Sequence, residues 1–210
     1  SIIHSQALAA ASLTTGAFPA SQGDRMSGVL DLRTIEPSER RFVLGLSVVD
    51  LLASASDRFA AGRGAWFVAA RRGSIDYARD ALGDEDPSFW DVFAKAELAT
   101  AAGLFRGHAL VAHDQLRVDT IDEDGFEDLR NDYDNAYGWL THQMPVASRF
   151  LVETIGSYSR IDGQREGAGK DEQIVYELRD HRDLDVASLS QSWTMEPGSR
   201  HAIRWGWEVR

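Results

Sequence analysis

At about residue 172 the apolar residues of this chain change their spacing, and that change limits the folds open to it. Before that point they recur every three to four positions; beyond it they alternate. The first spacing marks one face of a helix and the second one face of a strand. The sequence therefore predicts an α+β fold with a mainly helical core over residues 1–161. A linker rich in glycine and charge follows over 162–172 (DGQREGAGKDE), then a small antiparallel β element over 173–210, packed on the core or on a neighbouring subunit.

Local signals place the expected helices. Glu36, Pro37, Ser38 and Glu39 suit a helix start, with proline in the first turn and acids at the positive end of the dipole. Phe42, Leu46, Val49, Ala53 and Ala60 would be its buried face, and Gly62 and Gly64 its stop. A long helix is expected from Pro87 to about Leu116, with Trp90, Leu98, Ala101, Phe105, Ala109 and Ala112 along one side. Another runs to about Gln143, and Pro145 restarts the chain as a helix to about Ile161. Shorter helices are predicted over 3–13 and 74–82, and a short strand over Val29–Arg33. In the last segment Trp193 alternates with Met195, EPGS (196–199) is turn chemistry, and Ile203, Trp205, Trp207 and Val209 share one strand face.

Between the two helix-like runs lies the most charged stretch of the chain. From His113 to Asp134 there are nine acids against Arg117 and Arg130. Asp124 followed by Glu127 resembles a capping box, so much of this acidity is explained by starting a helix. A calcium loop centred on Gly125 fails at its first and twelfth positions, where Thr120 and Asn131 stand. What remains is a solvated helix-helix corner whose Asp122, Glu123 and Asp124 form a candidate surface for a basic partner. At the other end of the chain Arg204, Trp205, Trp207 and Arg210 combine types enriched at interfaces.

Composition excludes several function classes. A hydrophobic content of 43% predicts a compact fold rather than disorder. Having no cysteine, the chain forms no disulfide and uses no thiolate. A net charge of -11 and pI near 4.9 argue against broad contact with nucleic-acid phosphates. No run of 18 apolar residues and no signal peptide is recognised, so a soluble chain is expected, with membranes not among its partners. No nucleotide or nucleophile motif occurs, and none of the six histidines has metal-ligand spacing. Catalytic, metal and cofactor sites are therefore not expected. Within the helical core His108 is expected as a hydrogen-bonded core residue. His142 with Asp132 or Asp134 is the alternative, a histidine-carboxylate pair of a small hydrolase or lyase.

Leu116, Arg117, Val118 and Asp119, then Asp122, Glu123 and Asp124, then Asn135, Ala136 and Tyr137, resemble the small head-tail connector proteins of tailed phages. Met144, Pro145 and the run to Tyr158, Ser159 and Arg160 extend the resemblance, which covers about residues 113–162. It implies helices and ring assembly beneath a portal. The expectation is a non-enzymatic structural or assembly protein, acting through self-association or protein partners, with the virion as its place where the resemblance holds.

Overall fold

The computed structural model describes residues 7–16, 18, 28–47, 50–73, 85–121, 125–171, 174–198 and 200–210. Among them no α-helix forms, and the expected mainly helical core is replaced by strands. Strands β1 (Leu8–Thr14) and β2 (Val29–Thr34) pair as a small antiparallel sheet. Nine more form a second sheet: β3 (Arg41–Leu46), β4 (Asp50–Phe59), β5 (Gly64–Gly73), β6 (Glu85–Thr100), β7 (Gly103–Ile121), β8 (Gly125–Ala147), β9 (Phe150–Asp171), β10 (Ile174–Gly198) and β11 (His201–Val209). Every neighbour is antiparallel and the spatial order is the chain order, with β3 and β11 at the edges.

The corrections follow element by element. The helix expected over 36–61 is β3, β4 and a short 3-10 turn at Ala60–Gly62. The long helix expected from Pro87 is the β6/β7 hairpin, and the next two are β8 and β9. Pro145 sits at a register shift between β8 and β9, where a strand tolerates the missing N–H. Residues 162–171, where a linker is expected, continue β9. Residues 8–13 of the first expected helix are in β1, and the short helix expected over 74–82 lies outside the described residues. The segment resembling the phage connectors is folded as β7 to β9, so the helices implied by that resemblance are not formed.

Alternation explains the outcome. From Trp90 to Leu98 the residues Trp90, Val92, Ala94, Ala96 and Leu98 occupy one face, while Asp91, Phe93, Lys95 and Glu97 occupy the other. Alanine suits a helix intrinsically, but pairing with β5 and β7 satisfies every backbone group along this stretch and overrides that preference.

The two ends of the sheet differ in strand extension more than in connection length, since at the far end β3/β4, β7/β8 and β9/β10 also connect over two or three residues and only β5/β6 is long. At one end β4/β5, β6/β7, β8/β9 and β10/β11 reverse over two to four residues. Gly103, with φ +120°, closes the β6/β7 turn, and Thr100 Oγ1 accepts from the Ala102 N–H at 3.1 Å there. Toward the other end the strands lengthen, so β7 to β10 run well past β4 and β5.

The register also fixes an inclination. Gly64 is level with Leu98, two residues short of the Thr100/Gly103 turn. Leu104 is level with Gln143, which places Gly103 level with Met144, three residues short of Ala147/Phe150. Phe150 is level with Met195, again three residues short of Gly198/His201. A stagger of two to three residues, about 9 Å, per two strand spacings of about 4.8 Å inclines the strands about 40° from the normal to the line of turns. Barrel walls have tilts of this size, about 35–45°.

One face of the large sheet carries the core. Phe67, Ala69, Phe93 and Leu110 are buried together with Ala7 from the N-terminal segment, and Ile35, Tyr137 and Trp139 pack around them. The chain between β2 and β3 lies against this face, held where Lys95 Nζ donates to the Ile35 carbonyl at 2.9 Å and Ser56 Oγ to the Glu39 carbonyl at 3.2 Å. This side is called the inner face below, and the opposite side the outer face.

Candidate functional site: two faces of one sheet

Carrying the strand alternation through the register gives an outer face with an uncharged band. On β6 it is Trp90, Val92, Ala94, Ala96 and Leu98; on β7 Phe105, Gly107, Ala109 and Val111. On β8 it is Ala136, Gly138, Leu140, His142 and Met144; on β9 Phe150, Val152, Thr154, Gly156 and Tyr158. On β10 it is Ala187, Leu189, Gln191, Trp193 and Met195; on β11 Ile203, Trp205, Trp207 and Val209. No Asp, Glu, Lys or Arg stands at these positions on β6 to β11, whereas on β4 Asp57 faces outward level with Trp66, paired with Arg40, and on β5 Arg72 faces outward level with Trp90. The edge strand β3 adds Phe42, Leu44 and Leu46, which are 73%, 84% and 79% exposed. An exposed apolar surface this continuous is unusual for a protein surrounded by water.

The inner face opposite the band combines the apolar cluster around Phe93 with polar and charged residues. Lys95 lies 3.5 Å from Glu97 Oε2 and Arg106 3.7 Å from the same oxygen, ion pairs too long to be hydrogen bonds. Arg106 Nη1 donates to Gln143 Oε1 at 2.8 Å, and Gln143 Nε2 to Glu153 Oε2 at 2.5 Å. Arg204 then reaches Glu153 at 3.6 Å and Ser192 Oγ at 3.3 Å. One ladder of charge thus crosses from β6 to β11. A second buried pair joins Arg71 to Asp91 Oδ2 at 2.7 Å, with the guanidinium also 4.9 Å from the Phe89 ring centre. Beside it a recess of 320 Å³ opens between Phe89, Tyr133, Asn135 and Asp114.

His108 stands in this inner face, stacked on Trp139 at 4.5 Å and near Phe93 at 6.3 Å. Burial, then the charges of Lys95 and Arg106, lower its imidazole to about 4, so it is neutral at pH 7. Its Nδ1 has no hydrogen-bond partner among the described residues.

Past the band the outer face becomes charged at once. The next outward positions are His113, Asp134, Arg160 and Asp185. His113 Nδ1 meets Asp134 at 2.8 Å, and the Tyr158 hydroxyl donates to Asp185 at 2.5 Å, which raises the phenol pKa. Farther along, Arg117, Arg130 and Arg179 gather with Asp128, Glu166 and Glu177 around a recess of 480 Å³.

The structure separates the residues singled out in the sequence. Arg204 faces inward, whereas Trp205 and Trp207 face outward, each 44% exposed, with Trp205 stacked on Trp193 at 6.1 Å. Arg210 is paired with Glu208 of its own strand at 2.7 Å. Asp122, Glu123 and Asp124 lie outside the described residues; the strands they join are the outer halves of β7 and β8. His142 bonds the Ala102 carbonyl through Nε2 at 2.8 Å and stacks on Phe105, while Asp134 is taken by His113 and Asp132 by Arg130. The alternative pairing of His142 with either acid is not made. Sequence reasoning missed the Lys95–Glu97–Arg106–Glu153 ladder, and the signal that finds it is the alternation itself.

No helix among the described residues is long and apolar enough to cross a membrane, a statement that does not extend to strands. No group of three or more metal-ligating side chains occurs among them. Comparison with protein-family models, curated proteins and solved structures finds no match to this chain.

Proposed function

We propose that this chain builds part of the wall of a transmembrane β-barrel. The observation that carries the reading is the polarity of β6 to β11: uncharged, mainly apolar residues face outward at the same levels where lysine, arginine and glutamate face inward. In water this arrangement wastes the hydrophobic face and buries ions. In a bilayer it satisfies both sides, with lipid against the band and a polar lumen behind it. The uncharged outward positions span nine residues on β6, β8, β9 and β10 (Trp90–Leu98, Ala136–Met144, Phe150–Tyr158, Ala187–Met195). A membrane-crossing strand inclined near 45° uses about 9–11 residues. Extension of β7 to β10 beyond the band at one end fits the same architecture. The expectation that membranes are not partners rests on the absence of long apolar runs, a criterion for helices that alternating strands do not meet.

Because the chain has no cysteine, single cysteines report each face without background. Leu140→Cys and Leu189→Cys probe the outer band, and Thr141→Cys and Ser190→Cys the inner face. In lipid vesicles a membrane-impermeant maleimide should leave the outer pair unlabelled until detergent is added. Equal labelling of outer positions with and without detergent would overturn the proposal.

Self-association into a structural assembly is the second reading, favoured by the open edges of β3 and β11. It requires lipid-free oligomers in which Phe42, Leu44 and Leu46 become covered, and cross-linking without lipid separates the two.

A further inference from the structure

We propose that the end of the sheet where β4/β5, β6/β7, β8/β9 and β10/β11 turn is a binding surface for anionic phospholipid headgroups, an inference that rests on the membrane-wall reading above. The residues joining the strands at this end are AAGR (60–63), AA (101–102), SR (148–149) and SR (199–200). Three of the four turns thus carry an arginine, and none carries an acid. Arg63, Arg149 and Arg200 are exposed, and none has a carboxylate within 4.0 Å among the described residues. Arg63 reaches only the Ala60 carbonyl, at 3.3 Å, and Arg149 only the Pro197 carbonyl, at 3.4 Å. Lack of a carboxylate is shared with Arg33, Arg41, Arg58, Arg72, Arg117 and Arg165 among the described residues, and what sets the three apart is their place in the turns.

Geometry places these three charges at one height. A near-constant stagger of two to three residues per hairpin puts successive turns on one line, which is level when the axis of the membrane wall is normal to it. The turns are therefore a rim rather than a staircase. Phe59, Phe105 and Phe150 face outward within two residues of their turns, an aromatic border of the kind found where a barrel wall meets the headgroups. Acids near this rim are few: Asp57 is held by Arg40 at 2.7 Å, and Glu196 lies two residues before the last turn pair. Arg58 adds a further positive charge at the same end, bonded to the Pro37 and Gly62 carbonyls. A guanidinium offers a planar fork that matches two phosphate oxygens, so the occupant that fits is a phosphate-bearing lipid with net negative charge.

The test uses the full chain inserted in vesicles of equal phosphatidylglycerol and phosphatidylcholine, extracted gently, with the retained lipids quantified by mass spectrometry. Each arginine near an anionic surface favours it by about a factor of five, so the wild type should retain phosphatidylglycerol several-fold above the bulk ratio. R63Q/R149Q/R200Q should retain both lipids at the bulk ratio, and R63K/R149K/R200K should keep the enrichment because the charge remains. High salt should abolish the wild-type preference. Insertion with no enrichment, or equal enrichment in the glutamine variant, overturns this inference and leaves the wall reading standing. Failure to insert, seen as unprotected outer cysteines, removes both.

Discussion

The two faces of β8 and β10 offer a sharp energetic test. Leu140 is the central residue of the nine-residue span Ala136–Met144 and is 53% exposed on the outer face. With the strand leaning about 40°, each residue advances about 2.5 Å along the wall normal to the line of turns, which puts Leu140 about 10 Å from either border of the band. At that depth an outward arginine costs about 2–4 kcal/mol in a bilayer, falling to about 0–1 kcal/mol at the border. On a face surrounded by water the same exposed substitution stays within about 0.5 kcal/mol. Leu140→Arg therefore separates the two environments by several-fold. Ser190→Arg is the matched control, because Ser190 points inward opposite Glu208 and should accept the charge at little cost. Reversible denaturant titration of the vesicle-inserted chain, followed by tryptophan fluorescence, gives both values. A Leu140→Arg cost no larger than that of Ser190→Arg would refute the assignment of the outer face to lipid.

Asp91→Ala should destabilise the fold by about 3 kcal/mol, since it leaves the buried guanidinium of Arg71 without its carboxylate; adding Arg71→Met should restore much of the loss in the same titration. His108 titrates in the folded chain near 4, below its ordinary 6.5, so the fold prefers the neutral ring. The stability from this preference is complete above pH 6.5 and is lost as pH falls through about 4. Discounted for partial exposure of the ring it amounts to about 1–2 kcal/mol, and His108→Gln should flatten the stability profile over that window. Gly103→Ala should cost about 2 kcal/mol, because φ there is +120° and a Cβ would meet the Gln143 carbonyl; a chemical melt within error of wild type would contradict it.

The last hairpin was legible in the sequence. Trp193 and Met195 lie in β10 and the alternating Ile203 to Val209 in β11, and Val29 to Arg33 lies in β2; of the expected EPGS turn, Glu196 to Gly198 are still strand and Ser199 lies outside the described residues. The remaining strands were hidden by two physical causes. Their outward residues are small as often as large, so alanine density in stretches such as Trp90–Leu98 supports a helix as readily as a strand. Their inward residues mix charge with Phe93 and Leu110, so neither face has the uniform polarity that marks a strand in a water-soluble sheet. The tail residues Arg204, Trp205 and Trp207 were grouped by proximity along the chain. Pairing with β10 sends the arginine to one side and the tryptophans to the other, which only the register reveals. The acid-rich run from His113 likewise becomes the far part of a long hairpin rather than a corner between helices.

Because spatial order in the large sheet repeats chain order, each hairpin touches only the strands before and after it. Removing two consecutive strands, such as β6 with β7, would leave β5 and β8 with opposite directions and therefore still able to pair. The circumference of such a wall is counted in hairpins. Duplication or loss of one hairpin changes the bore in a unit step, while the strand direction, the band and the turn rim of the others carry over unchanged.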